Sequence, residues 1–182
     1  HFDVDGTPKQ NLKLTNFLLS KQRKIDEKLV ALASKRGKIS GNSKNTCDRI
    51  KQVYDVESNF IYPSINPNLW PIKPTKDEDW GSVKKEFGLI KNKYVITIGH
   101  AIFAKGLWET ITKLGSSNLQ IVQIGGGVNE KHKEHARKNN VELKALPRVS
   151  QATIRALMRN AKAMVSHAIN EPFGLTPPEA YF

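Results

Sequence analysis

The chain has 182 residues, 38% of them hydrophobic and 25% charged, which suffices for one well-buried domain or for one domain plus a piece of another. Its one cysteine, Cys47, excludes an internal disulfide and a multi-cysteine zinc site; that usage fits a reducing compartment and makes the cytoplasm the expected location. The formal net charge of +12 invites anionic partners, yet 12 basic residues stand against 7 acidic ones over 1–60 and 17 against 10 thereafter, so the excess is spread and forms no single nucleic-acid arm.

No zinc-finger spacing and no aromatic-interleaved basic stripe is present, and nucleic acid is not an expected partner. No apolar run approaches the length that crosses a bilayer. The amino end, His1-Phe2-Asp3-Val4-Asp5, has neither an initiator Met nor a signal-peptide pattern, so His1 reads as an internal position of a longer protein.

From Thr7-Pro8, apolar residues recur at Leu14, Phe17, Leu18, Ile25, Leu29 and Leu32, a spacing that predicts one long amphipathic helix ending by Gly37. A short segment at Ile39 leads into Asn42-Ser43-Lys44-Asn45, whose side chains suit a helix cap, with Ile50 and Val53 on the helix that follows. Phe60-Ile61-Tyr62 reads as a brief strand. Residues 63–76 contain Pro63, Pro67, Pro71 and Pro74, which forbid a regular helix or central strand and predict an interdomain linker.

Beyond the linker a regular alternation begins. Strands are expected at Tyr94–Ile98, Leu119–Ile124, Val141–Leu143 and Ala163–Ser166. Helices are expected at Gly106–Leu114, at Asn129–Lys138 and after Ser150, the last with Ile154, Leu157 and Met158 on its apolar side. This rhythm implies a Rossmann-like α/β fold, a parallel sheet with helices on both faces.

Open parallel sheets bind ligands beyond the carboxyl ends of their strands. After the first strand come Gly99-His100 and Lys105-Gly106, where a cation at a helix amino terminus can hold a diphosphate, or where Lys105 is an ordinary solvated lysine. Gly125-Gly126-Gly127 does not complete a dinucleotide-binding pattern; it is a tight turn that lets a ligand or a neighbouring helix approach the backbone. Pro147-Arg148-Val149 could flank a nucleobase. No Ser-His-Asp or Cys-His arrangement is readable, and His132 and His135, three apart on a polar helix, have no acidic third ligand, so no metal site is expected.

The most specific segment is Asn170-Glu171-Pro172-Phe173-Gly174-Leu175-Thr176-Pro177-Pro178-Glu179, two glutamates eight positions apart around a Phe-Gly-Leu turn. Its glycine allows close approach to the backbone, its prolines suit a first helical turn, and its carboxylates are acceptors for sugar hydroxyls.

Taken together, Gly99-His100, Lys105-Gly106, the glycine turn, and Glu171 to Leu175 with Glu179 resemble the retaining glycosyltransferases of family four, which have the GT-B fold. The resemblance covers roughly residues 39–182. It reaches back through Ser40-Gly41-Asn42-Ser43 and Ile61 to Asn66, which look like the end of that family's amino-terminal acceptor domain and the entry to its donor domain. It implies residues 1–62 from the acceptor half, a linker over 63–76, and a nucleotide-sugar-binding domain, incomplete at its carboxy end, over 77–182.

The resemblance further implies catalytic roles for Glu171 and Lys105, with Glu171 on the donor sugar hydroxyls and Lys105 on the diphosphate. The amides of Phe173, Gly174 and Leu175 would lie near sugar and phosphate, Glu179 would bind the ribose, and Gly99, His100, Arg148 and Val149 would complete the donor site. No cofactor or metal is implied beyond a nucleotide-diphosphate sugar. The acceptor would be a glycan or a lipid, with peripheral association at the inner membrane surface. Where the family usually has arginine this chain has His100, which weakens the diphosphate clamp or makes it pH-dependent. The chain stops three residues beyond Glu179, so it is not expected to catalyse transfer alone. The alternatives are a nucleotide-sugar epimerase or phosphorylase of the same fold, or a binding module without catalysis.

Overall fold

The computed structural model of the chain describes residues 2–8 and 12–181. They form two compact units. The first comprises Pro8–Ser64 with Glu171–Gly174; the second comprises Phe2–Thr7, Ile65–Asn170 and the segment 175–181.

The first unit begins with α1 (Leu12–Arg36), whose last turn carries Lys35 and Arg36 against the negative end of the helix dipole. Thr7 and Pro8 are not helical as expected, and residues 9–11 lie outside the described residues. The cause is local: the Asp5 carboxylate accepts from the backbone N–H of Thr7 at 2.9 Å and from its hydroxyl at 2.7 Å, a turn that competes with helix. The apolar stripe that predicted α1 is more than half exposed at Leu14, Phe17, Leu18, Ile25, Leu29 and Leu32.

Two short strands follow, β1 (Ser40–Gly41) and β2 (Asn59–Phe60), paired in parallel and joined through α2 (Lys44–Tyr54). Ser43 caps α2 by accepting from the N–H of Thr46 at 3.1 Å, and the helix stops at Asp55 in the left-handed region. The strand expected at Phe60 to Tyr62 is seated one residue earlier, its pairing continuing as far as the bond from Ile61 N–H to Gly41 O.

The second unit opens, after the turn at 2–7, with a proline-rich stretch held by two arginines. Arg155 donates to Glu78 at 2.9 Å, to Leu69 O at 3.1 Å and to Asp77 at 3.0 Å; Arg159 donates to Glu78 at 2.8 Å, to Ile72 O at 3.0 Å and to Pro71 O. Helix α3 (Trp80–Phe87) comes next and is not among the expected elements. Its signals were present: Asp79 accepts from Ser82 N–H at the start, Gly88 is left-handed at the end, and Trp80, Val83 and Phe87 share a face.

The core is a four-stranded parallel sheet in the order β5-β4-β3-β6, formed by β3 (Tyr94–Ile98), β4 (Gln120–Ile124), β5 (Leu143–Leu146) and β6 (Ala163–Met164). Between them run α4 (Leu107–Leu114), α5 (Glu130–Lys138) and α6 (Gln151–Asn160). Side chains alternate across the sheet. Tyr94, Ile96, Val122, Ile124 and Leu146 pack with Val83 of α3 and Leu157 of α6, whereas Val95 and Ile121 pack with Ile111 of α4 and Ala136 of α5. Helices therefore cover both faces, as the alternation implied. The buried Tyr94 hydroxyl donates to Leu157 O at 2.6 Å, and burial raises its pKa.

β5 lies two residues later than expected. Asn140, with φ of 54°, turns the chain out of α5, and Val141 is buried by that turn, its N–H bonded to Ala136 O, before the ladder starts. β6, at the sheet edge, is shorter than the expected 163–166. The last element is α7 (Thr176–Tyr181), with Pro177 and Pro178 in its first turn.

Candidate active site

The loops beyond the carboxyl ends of β3, β4 and β5, and the one after β6 as far as Asn170, belong to the second unit. The loop after β3 is laced to the one after β4: Gly99 N–H bonds Ile124 O at 2.8 Å and Ala101 N–H bonds Gly126 O at 2.9 Å. The two backbones come so close that a Cβ on Gly125 would stand 2.6 Å from the Gly99 carbonyl. Only glycine fits there, and its φ of 124° adds a second reason.

Lys105 ends a single 3-10 turn (Phe103–Lys105), and Gly106, left-handed with φ of 70°, then starts α4. The aliphatic part of Lys105 lies along Gly99, its Cγ and Cδ each 3.6 Å from where a Gly99 Cβ would be. Lys105 and Gly99 are thus neighbours across the loop, beside the amino terminus of α4. The loop after β6 closes this region: Ile169 N–H bonds Ala104 O at 2.8 Å, and the Thr110 hydroxyl, donating to Gly106 O at 2.9 Å, lies 3.0 Å from His167 Nδ1.

His100 lies over the glycine turn, its Nδ1 3.3 Å from Gly125 O. A carbonyl can only accept, so a hydrogen bond here has Nδ1 as its donor. Arg148 and Val149 line a cavity of about 520 Å³ together with Gly125, Gly126, Pro147 and Gln151. The apolar wall of this cavity includes Ile124, Leu146 and Ile154, and the cavity is of a size for a planar ring.

Glu179, on α7, lines a second cavity of about 380 Å³ with Trp70, Met158, Arg155 and Arg159. The two cavities share no lining residue. Burial pushes the Glu179 carboxyl above the usual range, and a hydrogen bond from Trp70 acts in the opposite direction. The arginine side chains on this wall are engaged by Glu78, Asp77 and backbone carbonyls. Burial raises the pKa of Glu78, but hydrogen bonds from Arg155, Thr75 and Arg159 outweigh it and hold the carboxyl low.

Glu171, Phe173 and Gly174 group with the first unit, while Leu175 belongs to the second. The short segment is anchored within its unit by the Ser43 hydroxyl, which donates to Pro172 O at 2.6 Å, and by the Phe173 ring, 5.6 Å from that of Tyr62. Left-handed residues bracket it, Asn170 with φ of 56° and Gly174 with φ of 77°. Trp70 and Gln123, whose Nε2 bonds Gly99 O, are not singled out by the sequence pattern; Ser43 is, but only as a helix cap. For Gln123 a signal existed, a polar residue inside the apolar run Ile121-Val122-Gln123-Ile124. Among the described residues no group of three His, Cys, Asp or Glu side chains is placed to hold a metal ion, and no helix is long and apolar enough to cross a membrane.

Comparison with known proteins adds the following. The family profile described as "Glycosyl transferases group 1" matches residues 82–181. Among solved structures, the chain resembles HepE of Anabaena, crystallised in complex with UDP-glucose, at 18% identity and a TM-score of 0.66 over 79% of this chain and 42% of that one. It also resembles sucrose-phosphate synthase of Thermosynechococcus elongatus, at 15% identity and a TM-score of 0.62 over 78% of this chain and 37% of that one. The likeness is one of fold, and the chain spans about two-fifths of the length of these structures. Among curated proteins none matches the sequence.

Proposed function

The chain belongs to the glycosyl transferases group 1 family, and on that premise we propose that the protein transfers a hexose from a nucleotide-diphosphate sugar to a glycan or lipid acceptor with retention of configuration, as a family-four enzyme of the GT-B class. The observation that carries this reading is the pair of glycine loops laced beyond β3 and β4, with Lys105 alongside Gly99 at the amino terminus of α4. Backbone N–H groups, a helix amino terminus and a cation together suit a diphosphate. The UDP-glucose bound by HepE supports the same donor class.

In this reading the base lies in the cavity of Arg148 and Val149, Glu179 binds the ribose hydroxyls, and Phe173 to Leu175 offer their amides to sugar and phosphate. Glu171 holds hydroxyls of the donor sugar and stabilises positive charge at the anomeric carbon. As the bond from that carbon to the diphosphate breaks, its electron pair passes to the diphosphate, and an acceptor hydroxyl bonds the carbon and gives its proton to the departing diphosphate oxygen. Lys105 and the α4 terminus then favour the transition state, because they meet negative charge that grows as the bond breaks. The reaction is proposed to need no metal.

We also propose residues 1–62 as part of the acceptor half, 63–76 as the linker and 77–182 as the donor-binding domain. The site of action is proposed to be the cytoplasm, with peripheral association at the inner membrane surface. The support for the latter is the charge of +12 and the exposed stripe of α1, along one edge of which helical geometry sets Lys21, Lys24, Lys28 and Lys35.

One observation favours a second reading, a binding module without catalysis: His100 stands where the family has arginine, and its Nδ1 is committed to Gly125 O. Calorimetric titration of the complete protein with UDP-, GDP- and ADP-sugars, followed by transfer assays of the same protein on the sugar nucleotide that binds, separates the two. Binding with transfer supports the enzyme, binding without transfer or hydrolysis supports the module, and no binding contradicts both.

A further inference from the structure

Gln123 is 1% exposed in the middle of β4, between residues that face apolar clusters. A carboxamide buried in such a strand is costly unless it is hydrogen-bonded. Its Nε2 donates to Gly99 O at 2.6 Å and lies 3.3 Å from Gly126 O, one carbonyl in each glycine loop. Its Oε1 is buried with no hydrogen-bond partner, a desolvation cost that an aliphatic residue at this position would avoid. What Gln123 contributes in exchange is the bridge between the loops.

That bridge joins the loops in addition to the backbone bonds, Gly99 N–H to Ile124 O and Ala101 N–H to Gly126 O, that lace them. Gly99, Gly125, Gly126 and Gly127 all have positive φ, at 134°, 124°, 77° and 81°, and glycine peptides rotate without side-chain hindrance. In a planar trans peptide the N–H points opposite to the C=O. With Gly99 O and Gly126 O drawn toward Gln123, the N–H groups of His100 and Gly127 are directed away from it.

We propose that Gln123 is a positioning residue for the donor diphosphate: its side-chain amide ties the two glycine loops together from beneath, so that the His100 and Gly127 N–H groups face the phosphates. This rests on the nucleotide-sugar reading above. The test compares wild type with Gln123→Leu, and with Gln123→Met should the leucine variant not fold. Binding of UDP, GDP and ADP and of their parent nucleosides is measured, together with amide hydrogen exchange over 99–101 and 125–128 in the absence of ligand.

The expected result is binding of the preferred nucleoside diphosphate at least tenfold weaker in the variant, unchanged binding of the nucleoside, and faster exchange in both loops. Equal diphosphate affinity, a parallel loss of nucleoside binding, or unchanged exchange would overturn the positioning role alone. Failure of the wild type to bind any of the three diphosphates would overturn the donor reading and this proposal with it.

Discussion

The Ser43 hydroxyl donates to the carbonyl oxygen of Pro172 at 2.6 Å while its oxygen accepts from the N–H of Thr46 at 3.1 Å. One side chain thus caps α2 and holds the peptide that follows Glu171. Replacement by alanine removes a helix cap and leaves that carbonyl without its donor. Ser43→Ala is expected to lose about 1–2 kcal/mol in urea unfolding and to lower transfer, with Ser43→Thr retaining most of both. Wild-type stability in the alanine variant would show that Pro172 O is satisfied elsewhere.

Glu78 offers a larger effect. Its side chain is 2% exposed and bonds both Arg155, 7% exposed, and Arg159. Removing the carboxylate leaves the buried Arg155 with only the exposed Asp77 as a charged partner, so Glu78→Ala should cost about 2–4 kcal/mol, read as a lower denaturant midpoint, with exchange increasing first in residues 69–78. A loss under about 1 kcal/mol would mean that the network is not desolvated in solution.

Donor binding should depend on pH through Glu179. Burial raises its pKa above the ordinary 4.5, so near that pH the carboxyl is still protonated in the folded protein. A protonated carboxyl is a poorer acceptor for two ribose hydroxyls, so affinity should rise as pH climbs through the raised value. The stability contribution has the opposite sense, present in full below 4.5 and lost as pH rises through the folded pKa. Glu179→Gln should flatten the pH profile of binding and raise stability at neutral pH; a profile unchanged by the substitution would remove Glu179 from the ribose role.

His132, 1% exposed, gives an acid-side prediction for stability. Burial lowers its pKa from 6.5, with Asp3 acting the other way and His135 adding to the drop. The folded state therefore prefers the neutral ring: its contribution is complete above pH 6.5 and is lost as pH falls through the depressed folded value. His132→Gln, which retains a capping partner for Asn129, should make thermal stability less sensitive to acid than in the wild type. Equal acid sensitivity would assign the effect to other groups.

The parts of this fold that sequence made legible are those with local signals. β3, β4 and α4 lie where apolar runs end in glycine, and the caps at Ser43 and Ser150 are the ones side-chain chemistry indicated. α3 gives a weak periodic signal because eight residues make only two turns, directly after a stretch of prolines. β5 starts later than its apolar pattern implies because the burial of Val141 comes from a turn rather than a ladder. In the site, Gly99, His100 and Lys105 could be picked out because the loop after a parallel strand is a known place to look. The Arg155–Glu78 pair, 77 residues apart, and the Gln123 bridge to Gly99, 24 apart, depend on how the chain folds back and leave no local pattern.

The central claim is that Lys105 and Glu171 serve one glycosyl transfer, Lys105 on the departing diphosphate and Glu171 on the donor sugar. The most direct measurement is steady-state transfer by the complete protein, as wild type, Lys105→Ala and Glu171→Ala, against a panel of nucleotide sugars. Each substitution is expected to lower kcat by about 100- to 1000-fold, as removal of a transition-state charge partner does. Wild-type rates in both variants would contradict the account.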